Sequence, residues 1–129
     1  MKLGTVSKLA GALVALTMSG SVAAGEAPVP LVRIAELEID PAQLEKYKAA
    51  VKEEMETSVR VEPGVLAIYS VALREDASKL RFFEIYADEA AYLAHIASPH
   101  FRKYVEITKD MIRSRKLIET VPIQLSAKK

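Results

Sequence analysis

Val65-Leu-Ala-Ile-Tyr-Ser-Val-Ala-Leu73, Arg74-Glu-Asp-Ala-Ser78 and Lys79-Leu-Arg-Phe-Phe-Glu-Ile-Tyr86 together form the stretch on which the fold turns. Two runs rich in β-branched and aromatic residues flank a short polar connection, the pattern of an antiparallel hairpin. Both runs are apolar on both parities. Val65, Ala67, Tyr69, Val71 and Leu73 alternate with Leu66, Ile68 and Ala72, and Leu80 and Phe82 alternate with Phe83 and Ile85. Successive side chains of a strand point to opposite faces, so both faces of this hairpin need cover.

Working outward, Leu31 to Ile39 reads as a strand with Leu31, Ala35, Leu37 and Ile39 on one face. Asp40-Pro41 starts a helix, with Asp as N-cap, Pro at the first position and Gln43 three residues after the cap. Leu44, Tyr47, Val51, Met55 and Val59 recur at helical spacing, and Glu45, Lys46, Lys48, Lys52, Glu53, Glu54 and Glu56 supply a solvated side. Glu62-Pro63-Gly64 ends that helix and turns the chain. Downstream of the hairpin, Asp88 caps a short alanine-rich helix from Glu89 to about Ala97. Ser98-Pro99 caps the next helical segment, where Phe101, Val105, Thr108 and Ile112 share a stripe flanked by Tyr104 and Met111. Leu117 to Leu125 reads as a closing strand, which Pro122 places at an edge or bulge, and 126–129 as a tail. The order β-α-β-β-α-β predicts a ferredoxin-like α+β fold, an antiparallel sheet with its helices on one face. The uncovered face is then a large apolar patch, and a homodimer packed sheet to sheet is the expected cover.

The N-terminus reads as an export signal. Lys2 and Lys8 precede an uncharged run from Leu9 to Met18, and Val22-Ala23-Ala24 supplies a cleavage site after Ala24 or, as a close second, Ala23. The run is shorter than the roughly 20 residues a membrane span needs, so no stable membrane insertion follows cleavage. Residues 1–24 are thus the expected signal peptide, 25–30 a Pro-containing tether, and 31–125 the domain, periplasmic or secreted. The 129-residue chain carries a formal charge of +1, and removal of the leader leaves 16 basic and 17 acidic side chains. That balance argues against a nucleic-acid partner. The chain has no cysteine, which excludes disulfides, thiolate nucleophiles and cysteine-ligated metals. Gly64 is the one glycine beyond position 25, so no Gly-rich phosphate loop exists.

The chemical inventory is short. His95 lies on the alanine-rich helix, where Ala91, Ala94 and Ser98 leave room beside its imidazole. It fits a general base or a partner to a phenol, or else a structural histidine bonded to a backbone carbonyl. His100 falls in the first turn of the next helix, where a neutral imidazole is favoured. Two histidines five apart across a proline do not make a metal site, and no third ligand stands at matching spacing. Glu84 interrupts an apolar strand and must be paired, exposed at an opening or raised in pKa, with Arg33 as a cross-strand partner. Tyr69, Tyr86, Tyr104 and Phe101 are core residues by composition, and a tyrosine at a cleft would orient a phenolic substrate.

Phe83-Glu84-Ile85-Tyr86, Glu89-Ala90-Ala91, Ala94-His95 and Ser98-Pro99-His100-Phe101, preceded by Glu62-Pro63-Gly64-Val65, together resemble the antibiotic biosynthesis monooxygenase family over about residues 31–122. The resemblance implies a dimeric α+β barrel with a pocket between sheet and helices, lined by the Ala-His helix. It implies oxidation of quinols or phenols by O2 with no metal or flavin, and it also admits isomerases and members without assigned activity. Tyr86 stands where many relatives have tryptophan. Val105 stands where the haem-degrading branch has histidine, which sets this chain apart from that branch. The expectation is a cofactor-independent monooxygenase of small aromatic substrates, with His95 as base and Tyr69, Glu84, Tyr86, His100, Phe101 and Tyr104 around the substrate. The alternatives are a non-catalytic dimeric binding protein for an aromatic or lipid-like ligand, and an isomerase in which His95 and Glu84 shuttle a proton.

Overall fold

The structure, a computed structural model, describes residue 4 and residues 29–129. Apart from residue 4, the expected signal peptide and the tether up to residue 28 lie outside these described residues. The elements are β1 (Leu31–Ile39), a 3₁₀ turn (Pro41–Gln43), α1 (Leu44–Val61), β2 (Val65–Ala72), β3 (Lys79–Tyr86), α2 (Glu89–Ile96), α3 (Pro99–Thr108) and β4 (Ile112–Glu119). The sheet order is β2-β3-β1-β4, all antiparallel. This is the ferredoxin-like α+β arrangement predicted above, the second helical region being split in two at Ser98-Pro99. No helix among the described residues is long and apolar enough to cross a membrane.

The caps form as the sequence indicates. Asp40 accepts from the Ala42 N–H at 3.0 Å, Asp88 from Ala91 at 2.8 Å, and Ser98 Oγ from Phe101 at 3.3 Å. Each satisfies an N–H that a helix start leaves without an intrahelical partner. The core lies between the helices and one sheet face, where Leu37, Ile39, Val65, Leu80, Phe82 and Tyr86 meet Tyr47, Val51 and Tyr104. Each fully buried large apolar side chain contributes about 1.5–3 kcal/mol relative to exposure.

Three expectations are corrected. The buried stripe of α1 is Tyr47, Val51, Glu54 and Ser58, while Val59 is 50% exposed, so Glu54 faces inward and not into solvent. The closing strand runs over Ile112–Glu119 instead of 117–125. Ile112 begins it and is not on the helix, and Pro122 lies beyond it. This edge strand is fixed by backbone pairing to β1, from Arg33↔Glu119 to Ile39↔Ile112. A side-chain pattern dominated by Arg and Lys does not announce such a strand. Finally, β2 carries a bulge between Val65 and Ala67. The bulge flips the parity, so Val65 and Ile68 both face the helices, while Tyr69 and Val71 join Phe83 on the open face.

Candidate active site

Three helix ends bring the chemistry together. Glu62 is the residue at which α1 stops, in extended conformation (φ −101°, ψ 108°). His95 lies in the last turn of α2, and His100 in the first turn of α3 behind Pro99. Ser98 ties the two short helices, since its hydroxyl donates to the His95 carbonyl at 2.6 Å while capping α3.

His95 is 2% exposed. Its Nδ1 lies 2.9 Å from Glu62 Oε2, and the same oxygen lies 2.7 Å from His100 Nε2. A carboxylate only accepts, so both imidazoles donate N–H to it. His95 Nε2 points the other way and lies 3.3 Å from Glu54 Oε1. Ser58 Oγ sits 2.8 Å from both that oxygen and the Glu54 carbonyl, and its single proton serves one of them. With Nδ1–H committed to Glu62, Nε2 is the ring nitrogen turned toward Glu54. Burial pushes the Glu54 carboxyl above the ordinary carboxylate range, and the Ser58 hydrogen bond and the histidines only partly pull it back. Burial also pushes Glu62 up, but the hydrogen bonds from His95 and His100 outweigh it and hold Glu62 below its ordinary value. Two carboxylates therefore flank one imidazole with opposite proton affinities, an arrangement suited to moving a proton.

The Glu54 side of His95 opens on a cavity of about 90 Å³ between sheet and helices. Its walls include Leu37, Phe82, Tyr86, Tyr92, Phe101 and Tyr104, with Glu54, Glu84 and Arg115 as charged groups. The Tyr86 and Phe101 rings stand 5.4 and 5.0 Å from the His95 ring. Tyr86 donates to Glu84 at 3.0 Å. Burial raises Glu84, and burial next to Glu84 pushes the Tyr86 phenol far above its ordinary value, so Tyr86 stays a protonated donor. Tyr92 packs edge-on to Tyr86 at 5.3 Å and carries the Arg33 guanidinium 4.8 Å above its ring.

Of the residues singled out from the sequence, His95, Glu84, Tyr86, Phe101 and Tyr104 line this cavity. His100 stands behind His95, bonded to Glu62. Tyr69 lies on the opposite sheet face, 61% exposed. The ring of His95 bonds carboxylates and not a backbone carbonyl. The cross-strand pair expected of Glu84 forms elsewhere: Arg33 faces Glu84 in register but pairs with Glu119 at 2.8 Å. Ala94 is exposed and leaves no room at the ring, whereas Ala91 is partly buried on the inner side. Glu54, Glu62, Tyr92 and Arg115 were not marked by sequence. Glu54 alone carried a signal, seven residues after Tyr47 and three after Val51. The third donor that the spacing of the histidines lacks is Glu62, 33 residues before His95. Among the described residues, Glu62, His95 and His100 form a set that could hold a metal ion, their ligand atoms within 4.8 Å of one another.

The sequence profile described as antibiotic biosynthesis monooxygenase matches residues 30–107. The chain belongs to this family. The family match takes in β1 through most of α3, and with them Glu54, Glu62, His95 and His100. Among solved structures, the chain is 48% identical to a protein of Bacteroides thetaiotaomicron VPI-5482 provisionally named an antibiotic biosynthesis monooxygenase. That alignment covers 80% of this chain and 98% of the other, with a TM-score of 0.76. A protein of Lactobacillus acidophilus NCFM, provisionally named a monooxygenase, is 34% identical over 70% of this chain and 43% of its own, at a TM-score of 0.69. A provisionally named family member from Nitrosomonas europaea shares the fold at 21% identity, covering 73% of this chain and 99% of its own, with a TM-score of 0.69. No curated protein matches the sequence.

Proposed function

We propose that this antibiotic biosynthesis monooxygenase family member oxidises quinol-like or phenolic small molecules with O2, without a cofactor, as a periplasmic or secreted homodimer. Family membership and the monooxygenase names of its relatives support the general activity. The observation that carries the finer reading is the Glu54–His95 pair on the wall of an aromatic cavity, its far nitrogen fixed by Glu62.

In this scheme the phenolic O–H gives its proton to the Glu54–His95 pair. The phenolate passes one electron to O2, and the phenoxyl radical and superoxide recombine into a C–O bond at a ring carbon. The peroxide takes back the proton, and the hydroperoxide loses water as its O–O bond breaks, leaving a quinone. One O2 and one phenol give one quinone and one water. The protein supplies proton transfer, orientation and a site screened from solvent. The open sheet face, with Tyr69, Val71 and Phe83 exposed, supports the homodimer. The cavity sits beneath the helices, on the other face, and is left free by such pairing.

Oxygen uptake with a panel of quinols and phenols tests the proposal. The expected result is consumption of one O2 per substrate, reduced about 10²–10⁴-fold in kcat/KM by His95→Ala and by the closer-shaped His95→Gln. Undiminished turnover in both variants, or no uptake by the wild type across the panel, overturns it.

A further inference from the structure

The geometry points to a binding site for a divalent zinc-type cation, formed by Glu62 Oε2, His95 Nδ1 and His100 Nε2 on the solvent side of the His95 ring. The donors are two imidazole nitrogens and one carboxylate oxygen, a borderline set that suits zinc better than the hard cations magnesium or calcium. Ligands about 2.0–2.2 Å from zinc stand about 3.0–3.4 Å apart in octahedral to tetrahedral geometry. Both ring nitrogens aim at Glu62 Oε2, from 2.9 Å at His95 and 2.7 Å at His100, so an ion takes the point that oxygen holds and the partly exposed Glu62 side chain draws back by about 2 Å to become its third ligand.

A second observation is independent of these three atoms. A histidine that ligates a metal through one nitrogen nearly always donates its other N–H to a carboxylate. His95 Nε2 has such a partner in buried Glu54 at 3.3 Å, and Glu54 is itself held by Ser58. An ion on Nδ1 leaves Nε2 to carry the ring proton, and Glu54 Oε1 is the oxygen that faces it. Access is present too, because the side chains of Glu62 and His100 retain 15% and 16% exposure, which leaves an open position for water. The ion does not face the cavity, and the proton acceptor toward the cavity becomes Glu54, steadied by the Nε2–H.

The test uses the tag-free full chain, stripped with EDTA and titrated with ZnCl2 by calorimetry, with bound metal measured after dialysis. One zinc per chain is expected, at micromolar or tighter affinity, with no comparable binding of MgCl2. His100→Ala, on a partly exposed first turn, is expected to weaken zinc at least 100-fold, compared at a temperature where the metal-free variant is fully folded. Glu62→Gln is expected to weaken zinc at least 100-fold too, with its lower metal-free stability measured alongside, and Glu54→Gln is expected to weaken binding about 10–100-fold through the ring it orients. Zinc should raise the melting temperature of the wild type and not of His100→Ala. Less than 0.1 zinc per chain, or affinity unchanged in both His100→Ala and Glu62→Gln, overturns the site whether or not the protein oxidises phenols.

Discussion

Replacing Gly64 by alanine tests whether the turn after α1 sets the position of α2, the helix that carries His95. Gly64 does not adopt a positive φ, so its backbone does not require glycine. Space does. A Cβ built there falls far inside van der Waals contact with Ala91 Cβ and 3.4 Å from Ala91 Cα. Neither is the free end of a flexible side chain, so α2 must move outward by about 1 Å to restore a normal carbon–carbon contact. The turn cannot yield easily, because the Gly64 carbonyl accepts from the Ala87 N–H at 2.8 Å, just before α2. Overpacking of this kind costs about 1–3 kcal/mol, offset by about 0.4–1 kcal/mol from the stiffer unfolded chain. A net loss of about 1.5 kcal/mol lowers the melting temperature of a domain this size by about 6–12 °C. Ala91 lies one turn before His95, so the same shift loosens the His95–Glu62 bond and lowers turnover. Thermal unfolding of Gly64→Ala, Ala91→Gly and the double variant separates crowding from other causes. Ala91→Gly alone costs about 1 kcal/mol of helix propensity, and in the double variant the clash is gone, so the two changes fall short of additivity by at least about 1 kcal/mol. A Gly64→Ala melting temperature within 1 °C of wild type, or strict additivity, would refute the reasoning.

Other perturbations read different parts of the fold. Tyr104→Phe leaves the buried Tyr47 hydroxyl without its 2.6 Å partner and is expected to cost about 1–3 kcal/mol, part of which Tyr47→Phe recovers in the double variant by urea unfolding. Burial raises the Glu84 carboxyl, so its contribution to stability is complete below the ordinary glutamate range and is lost as pH rises through the raised value. Glu84→Gln should therefore gain on wild type as pH goes from 4 to 8, and a pH-independent difference in urea midpoints counts against this. Val71→Glu puts a charge on the open sheet face and is expected to shift the protein from dimer to monomer in light scattering, with secondary structure unchanged.

The sheet and helix starts were legible because local rules and tertiary structure agree at them. Asp40, Asp88 and Ser98 cap where capping chemistry places them, and two β-rich runs around a short polar link mark the hairpin from Val65 to Tyr86, though with both parities apolar they do not fix which residues face inward. β4 was misplaced because Arg113, Ser114, Arg115 and Lys116 occupy its centre, and an edge strand held by backbone bonds needs no apolar pattern. Tyr69 was grouped with the pocket as an aromatic able to orient a phenol, and alternation from Val65, which is buried, would put it on the inner face. One extra residue at the bulge reverses that, and nothing in Val65-Leu66-Ala67 signals it. His95 was legible as an isolated titratable group on an alanine-rich helix. Its partners were not. Glu54 was hidden among the charges of α1, and Glu62 was absorbed by the turn it begins.

Glu62, more than His95, organises the site. Among the described residues it is the only side chain bonded to both histidines, and it stands where α1 ends, a position whose helix dipole disfavours a carboxylate. Its charge is held there by two imidazole N–H groups instead. Those donors come from the end of one helix and the start of the next, so the bond to Glu62 also fixes the angle at Ser98 between α2 and α3. Removing the carboxylate would leave two ring N–H groups without their acceptor and the junction without its clasp. The apolar sheet core carries no part of this arrangement. The domain thereby divides its tasks: one sheet face holds the core, and the helix ends hold the Glu62–His95–His100 cluster.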